Sequence, residues 1–306
     1  MPSTAGLDRS LNDGTITRRL TRATARARTA IERQPDLRRL QHLLTSPAPH
    51  AAEMERRLRP LLQDVRWIRP LLVDLSDLIA AEPLLELPLI ATAAGPERAV
   101  VIGSSAQATV SLVLRNVAPV PPSVRVGGQV VLHRLLSGSA AVQRWRGSPI
   151  DDAFTLHDAP RLIAGRWHAL RADRIVREDG RRDGMLWRVD RPAVLLRAAI
   201  HSGRSCYARV HDDQGMIMGA SAIDDGASRL AMLATMLTSM ARADALPAIG
   251  RLLEARDFSL RWLAARLIGM LDDDAGRASL LRLEGDPHPE VREAAHRGLL
   301  SNSGAA

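Results

Sequence analysis

The sequence contains no lysine: all 42 of its basic residues are arginine. It has a single cysteine, Cys206, a single tyrosine and two phenylalanines. One cysteine excludes an internal disulfide and a thiolate-based zinc site. The missing lysine excludes a phosphate-binding P-loop in its usual form, although Gly103-Ser104-Ser105 follows the apolar Val100-Val101-Ile102. Long apolar runs are also lacking. The richest stretch, Leu71 to Ile90, is interrupted by Asp74, Asp77, Glu82, Glu86 and two prolines, a charge density too costly for a bilayer span. No apolar h-region marks the first thirty residues as a secretion signal. The expectation is a soluble, cytoplasmic protein without a transmembrane segment.

What is present is ample apolar content: 46% of 306 residues, enough for two or three domains with real cores. An arginine-only basic set is what a GC-rich coding sequence produces, so its distribution is more telling than its size. The net charge of +8 is concentrated in residues 1–40 and 91–150, at +5 each; residues 41–90 carry −2, and the remainder balances. Proteins that grip nucleic acid neutralise several phosphates with one basic face. The balanced C-terminal third therefore disfavours binding there and leaves the arginine-rich N-terminal half as the place for it.

Periodicity divides the chain into three. Residues 1–15 read as a flexible tail. Residues 16–82 read as a helical region: Arg18, Arg19, Arg22, Arg26, Arg28 and Arg33 flank an apolar stripe of Ile16, Leu20, Ala23, Ala27 and Ile31. A basic amphipathic helix of this kind suits anionic membranes, RNA or an organellar address, and equally a solvated helix face. Residues 83–227 are β-branched or alternating, in short runs broken by Gly, Pro, Ser and Asp. They predict an antiparallel β-sandwich or barrel, with hairpin turns at Ser137-Gly138-Ser139 and Asp212-Asp213-Gln214-Gly215. Residues 228–301 return to helical spacing, with Ser228 as an N-cap candidate, and residues 302–306 form a tail.

The C-terminal part repeats every 31 residues. Leu260-Arg261 overlies Val291-Arg292, Ala264 overlies Ala295, Arg266 overlies Arg297, and Ile268 overlies Leu299. A fixed period of this size is the mark of stacked helical pairs, each burying a face against its neighbour. The run Asp286-Pro-His-Pro-Glu-Val291-Arg292-Glu-Ala-Ala295-His-Arg-Gly-Leu299 resembles HEAT repeats, in particular the short bacterial kind named after phycobilin-lyase proteins. Asp286, Val291, Arg292, Ala295 and Leu299 match that pattern; the preceding unit matches at Leu260, Arg261, Ala264 and Ile268. The resemblance covers roughly the last 60 residues and implies a helical-repeat fold that holds other molecules. The array is short enough to need the β region for burial, with Met232, Leu233, Met236 and Leu237 expected as the joint. Arg261 and Arg292 are expected either to face a partner or to bridge to a turn carboxylate in the adjacent repeat, a planar pairing that suits arginine.

The central region resembles a cupin in strand texture and in Arg161-Leu-Ile-Ala-Gly165-Arg-Trp-His168-Ala-Leu, read as a Gly-centred turn between strands. Catalytic cupins hold a metal with a His-x-His pair, a Glu and a later His, and this chain has no His-x-His. Its β-region histidines are His133, His157, His168, His201 and His211. Imidazoles with Asp158, Asp212 or Asp213 would suit iron, zinc or manganese, but none of the histidines has the spacing that fixes a shared face. Cys206 beside His201 or His211, near Arg204 and Arg209, would make a nucleophile and base; a lone strand cysteine is more simply a small buried hydrophobe. Asp272-Asp273-Asp274 lacks calcium-loop spacing and suits a helix cap.

These observations favour an α+β multidomain protein: N-terminal helices, a central antiparallel sandwich or barrel, and C-terminal HEAT-like repeats. The function they favour is non-catalytic, a scaffold or adaptor for a protein or peptide partner without cofactor. Arg261, Trp262, Arg292 and His296 are the expected contact residues, since Trp and Arg are enriched at interface hot spots. The alternative is a cupin-like metal-dependent oxygenase or isomerase using His157, His168 and His211. The third reading is nucleic-acid binding through residues 15–40 or 91–150.

Overall fold

The computed structural model describes residues 15–82, 85, 87–121, 123–149, 155, 159–201, 207–222 and 225–303. Helices α1 (Thr15–Arg33), α2 (Pro35–Thr45), α3 (Ala51–Gln63) and α4 (Ile68–Ala81) come first. Their apolar spacing is what folds them: α2 buries Leu37, Leu40 and Leu44, and α3 buries Met54, Leu58, Leu61 and Leu62, the i, i+3/i+4, i+7 stripe of a one-sided helix. Pro35 stands at the first turn of α2, where its missing N–H costs nothing. Pro60 falls in the last turn of α3, which ends three residues later.

Among the described residues ten strands follow: β1 (Ile90–Ala94), β2 (Glu97–Ser104), β3 (Ala108–Arg115), β4 (Val124–Val126), β5 (Val130–Arg146), β6 (Ile163–Ala169), β7 (Ile175–Asp179), β8 (Asp183–Ile200), β9 (Tyr207–His211) and β10 (Ile217–Ala222). All are paired antiparallel. The larger sheet runs β1-β2-β3-β8-β5-β6, with β7 paired to the other half of β5; the smaller runs β10-β9-β4. The long strands β5 and β8 carry apolar residues on both faces, because both are covered. Val130, Leu132, Leu196, Ala198 and Ile200 pack on α2, α3 and α4. Met185, Trp187, Val189 and Leu195 turn to the other side, against Ala99, Val113 and Val142. The smaller sheet lays Val124 and Val126 against Trp145, Leu162 and Leu186.

Ser137-Gly138-Ser139 is not the expected hairpin turn. It is a bulged kink inside one continuous strand, β5, where the register with β8 shifts. Gly138 sits at φ +87°, and a Cβ there would strike the Pro192 carbonyl of β8. The same permissive residue that serves a turn here bends a strand. Gly165 likewise lies within strand β6, beside the irregular pairing of Gln143 and Trp145, and not in a turn between strands. Asp212 to Gly215 does close the β9–β10 hairpin: Asp212 Oδ1 accepts from the Gln214 and Met216 amides, and Gly215 has φ +82°.

The C-terminal part comprises α5 (Asp225–Ser239), a short helical run from Ala243 to Glu254 containing α6 (Leu246–Gly250), then α7 (Phe258–Leu271), α8 (Asp273–Leu283) and α9 (Pro289–Ser303). Asp257 caps α7 by accepting from the Ser259 and Leu260 amides, and Asp272 caps α8. The 31-residue period reappears in three dimensions. Leu260 and Ala264 are buried, as are Val291 and Ala295. Arg261 Nη1 donates to the carbonyls six and five residues before it, Ala255 and Arg256; Arg292 Nη1 donates to the carbonyls of Asp286 and Pro287 at the same offsets.

The joint to the sheets is not the one expected. Met232, Leu233 and Met236 are 65%, 51% and 59% exposed, because α5 turns its small residues Ala234 and Thr238 inward. Instead Tyr207 of β9 donates to Asp257 Oδ1 at 2.6 Å and accepts from the Phe258 amide at 2.8 Å. Its ring lies 4.7 Å from that of Phe258, which stacks on His288 at 3.7 Å. Among the described residues no helix is long and apolar enough to cross a membrane.

Candidate functional site

Side-chain alternation sends one set of residues from β2, β3, β5, β7 and β8 into a common cavity of about 620 Å³. Glu97, at the start of β2, is the cross-strand partner of Arg115, at the end of β3. On β8, Arg197 lies directly across from His133 of β5. Glu178 of β7 stands on the far side of β5, across from Val131. Five strands therefore bring two carboxylates, two guanidiniums and an imidazole to one wall.

Glu97 organises that wall. Its Oε1 pairs with Arg115 Nη2, and its Oε2 lies 3.0 Å from Arg197 Nη1. Burial alone would raise the Glu97 carboxyl, but the Arg115 and Arg197 charges beside it prevail and hold its pKa below the ordinary value. Burial pulls the Arg115 guanidinium down, against the opposing pull of Glu97. The Arg115 guanidinium sits 4.2 Å over the face of Trp187, a cation–π contact that costs the cation less desolvation than an aliphatic wall would. His133 meets the same indole edge-on, with ring centroids 4.9 Å apart. Its Nε2 lies 3.4 Å from Glu178 Oε2, and its buried Nδ1 has no partner among the described residues. At the mouth stand Pro96, Pro119, Pro121 and the exposed Arg125. The cavity lining carries three arginines against two glutamates, so it favours an anion by one charge.

A metal of the kind catalytic cupins carry does not fit these donors. Both Glu97 oxygens are taken by arginines, leaving His133 and Glu178 alone in the cavity. No group of three His, Cys, Asp or Glu side chains able to hold a metal ion occurs among the described residues. His168 is exposed on β6, whereas His211 is fully buried on β9; His157 and Cys206 lie outside the described residues.

Of the C-terminal residues singled out in the sequence, Arg261 is spent internally. Its Nε and Nη2 each lie 2.7 Å from the two oxygens of Asp286. Trp262 is half-buried against the helical core. Arg292 is exposed but tethered to loop carbonyls, and His296 is exposed with Nδ1 3.1 Å from Glu284 Oε1. On α1, Arg18, Arg22, Arg26 and Arg33 all face solvent, the placement of an ordinary solvated helix face. Sequence reasoning missed the cavity wall because Glu97, Arg115, Trp187 and Arg197 belong to no motif. The one signal was a charged residue breaking otherwise apolar strand ends, as in Leu112-Val113-Leu114-Arg115.

No family model matches the sequence, and no curated protein matches it. Solved structures similar to this chain include cupin-domain proteins. One is a hydroquinone 1,2-dioxygenase in complex with Cd2+ and 4-hydroxybenzonitrile (13% identity, TM-score 0.26, 33% of this chain and 61% of that chain). Another is Drosophila melanogaster CENP-C bound to CAL1 (11% identity, TM-score 0.26, 36% and 79%). A third is an RmlC-like cupin protein from Ralstonia eutropha (13% identity, TM-score 0.27, 46% and 78%). This chain thus spans less than two thirds of the dioxygenase chain. Scores of this size say nothing about activity or partner.

Proposed function

We propose that this is a non-catalytic binding protein for a protein or peptide partner, whose cavity receives an acidic side chain or terminal carboxylate of that partner. The observation that carries the reading is the Arg115–Glu97–Arg197 wall over Trp187: a pre-oriented, cationic, aromatic pocket with an excess positive lining. Arg and Trp held rigid in a concave site are the usual energetic anchors of recognition, and bidentate guanidinium geometry matches a carboxylate.

The C-terminal helices belong to the same reading as two HEAT-like units. The repeated arginine hydrogen bonds of Arg261 and Arg292 support it, and so does the repeated burial at 260/291 and 264/295. Tyr207 ties these helices to β9, so that sheets and helices present one composite surface. Trp262, Arg292 and His296 are the contacts assigned to its helical side; Arg261 is left out because its guanidinium is enclosed. Residues 16–82, 83–227 and 228–301 are the three units of this arrangement.

The test is calorimetric titration with a peptide set matched in length and differing in acidic residues and in C-terminal amidation. Wild-type protein is expected to take acidic, free-carboxylate peptides and to lose at least tenfold in affinity on Arg197→Gln. Absence of any acidic-peptide binding, or equal binding by the variant, would overturn the reading.

A further inference from the structure

The geometry points to a second binding site, on β9 and independent of the cavity, for a small oxyanion that still carries a proton, such as hydrogen phosphate or hydrogen carbonate. Its residues are Arg209 and His211, two apart on one face of the strand and both 0% exposed. The cross-strand neighbours on that face are apolar: Val126 stands opposite Arg209, and Val124 opposite His211.

Among the described residues, the buried cation Arg209 has no counter-ion. Its Nη2 donates to the Arg181 carbonyl at 3.3 Å, while Nε and Nη1 reach no acceptor and no solvent. Among the described residues no carboxylate lies within ion-pair distance of it; the buried Asp183 is flanked by Arg144 and Arg182, each at 3.9 Å. Burial lowers the Arg209 pKa to about 10, which still leaves it charged at neutral pH. A buried, unpaired charge with two unmet donors is among the costliest arrangements in a protein interior. An anion that accepts from Nε and Nη1 removes the cost.

His211 sets the second requirement. Its Nδ1 lies 3.1 Å from the Gly215 carbonyl, which can only accept, so Nδ1 carries the proton. Burial is the largest influence and holds the ring below its ordinary pKa; the Gly215 hydrogen bond opposes it, the Arg209 charge adds to it, and Asp212 opposes it least. The ring is therefore neutral at pH 7, and its buried Nε2 is a bare acceptor with no donor to meet it. The site offers two N–H donors on a cation and one acceptor. Its complement is an anion that also donates an O–H, which excludes sulfate and chloride.

The test compares the wild-type protein in phosphate, hydrogen carbonate, sulfate and chloride at equal ionic strength near pH 7, by calorimetric titration and thermal unfolding. Sulfate shares the shape of phosphate but has no proton to give, so it removes the general salting effect common to both. The expected result is saturable binding of phosphate or of hydrogen carbonate, with a Tm that rises with the logarithm of its concentration beyond the sulfate control. Which of the two binds identifies the source of the oxyanion. In Arg209→Met the excess over sulfate should vanish. If phosphate and hydrogen carbonate do no better than sulfate in the wild type, or if their advantage persists in Arg209→Met, the proposal fails. Should the variant not fold, the wild-type comparison alone decides. Peptide binding at the Arg197 wall is read separately, so either result can stand without the other.

Discussion

Arg261 and Asp286, 25 residues apart, form a bidentate pair in which both oxygens of the carboxylate meet the guanidinium at 2.7 Å, with both side chains nearly enclosed. The pair ties the start of α7 to the turn before α9. The same Arg261 also satisfies the Ala255 and Arg256 carbonyls, and Asp286 also accepts from the His288 amide.

Arg261→Ala leaves a buried carboxylate and two loop carbonyls without their donor. The expected loss is about 3–5 kcal/mol, the range for breaking a buried ion pair from one side. Arg261→Lys should recover little of it, because an ammonium cannot span both oxygens and the carbonyls together. Denaturant unfolding monitored by circular dichroism checks both variants; a loss under 1 kcal/mol in either would contradict the assignment.

Asp179, at the end of β7, has its pKa lowered to about 2, first by its hydrogen bonds to Arg181 and against the cost of burial. A carboxylate depressed in the folded state adds stability that is complete above its unfolded pKa and is lost as pH falls through the folded one. The window is therefore pH 4 down to 2, and the contribution is about 2 kcal/mol. Asp179→Asn should lower stability at pH 7 and flatten that acid limb in unfolding measured across the range; an unchanged slope would refute it.

Glu97→Gln removes the one carboxylate that both Arg115 and Arg197 share, leaving two guanidiniums to repel across a partly enclosed wall. A destabilisation of about 2–4 kcal/mol is expected, with a change in tryptophan emission because the Arg115 cation sits over Trp187. Unaltered fluorescence and Tm would mean that the wall does not depend on Glu97.

Tyr207→Phe keeps the ring stack with Phe258 but removes the hydroxyl that serves Asp257 and the Phe258 amide. The amide loses its acceptor, and the expected cost is about 1–2 kcal/mol. Hydrogen exchange should show faster opening in the first turn of α7, with β2 and β3 unaffected. Equal protection in α7 would show that the joint lies elsewhere.

The order helix, strand, helix was legible in the residues alone, because apolar spacing of 3.6 or 2 is a local property. The 31-residue spacing was legible for the same reason: Arg261 and Arg292 each donate to loop carbonyls six and five residues earlier, although Arg261 in addition pairs with the Asp286 carboxylate. Turn chemistry was half legible. Asp212 to Gly215 closes a hairpin from its own side chain and backbone, whereas Gly138 bends a strand because Pro192 lies opposite it, and no local pattern encodes that neighbour. The exposed α5 face shows the same limit, since which side of a helix is covered depends on what the rest of the chain brings to it.

By itself, then, the sequence determined the order of helical, β and helical regions and the 31-residue spacing of matching residues. Tertiary structure alone decided the sites. Glu97 and Arg197, 100 residues apart, meet only through strand register, and Arg209 is left without a counter-ion among the described residues only because folding closes apolar neighbours over it. Charge and hydrogen-bonding capacity are written in the side chains. Whether they are paired, buried or left seeking a ligand depends on distances that no single segment contains.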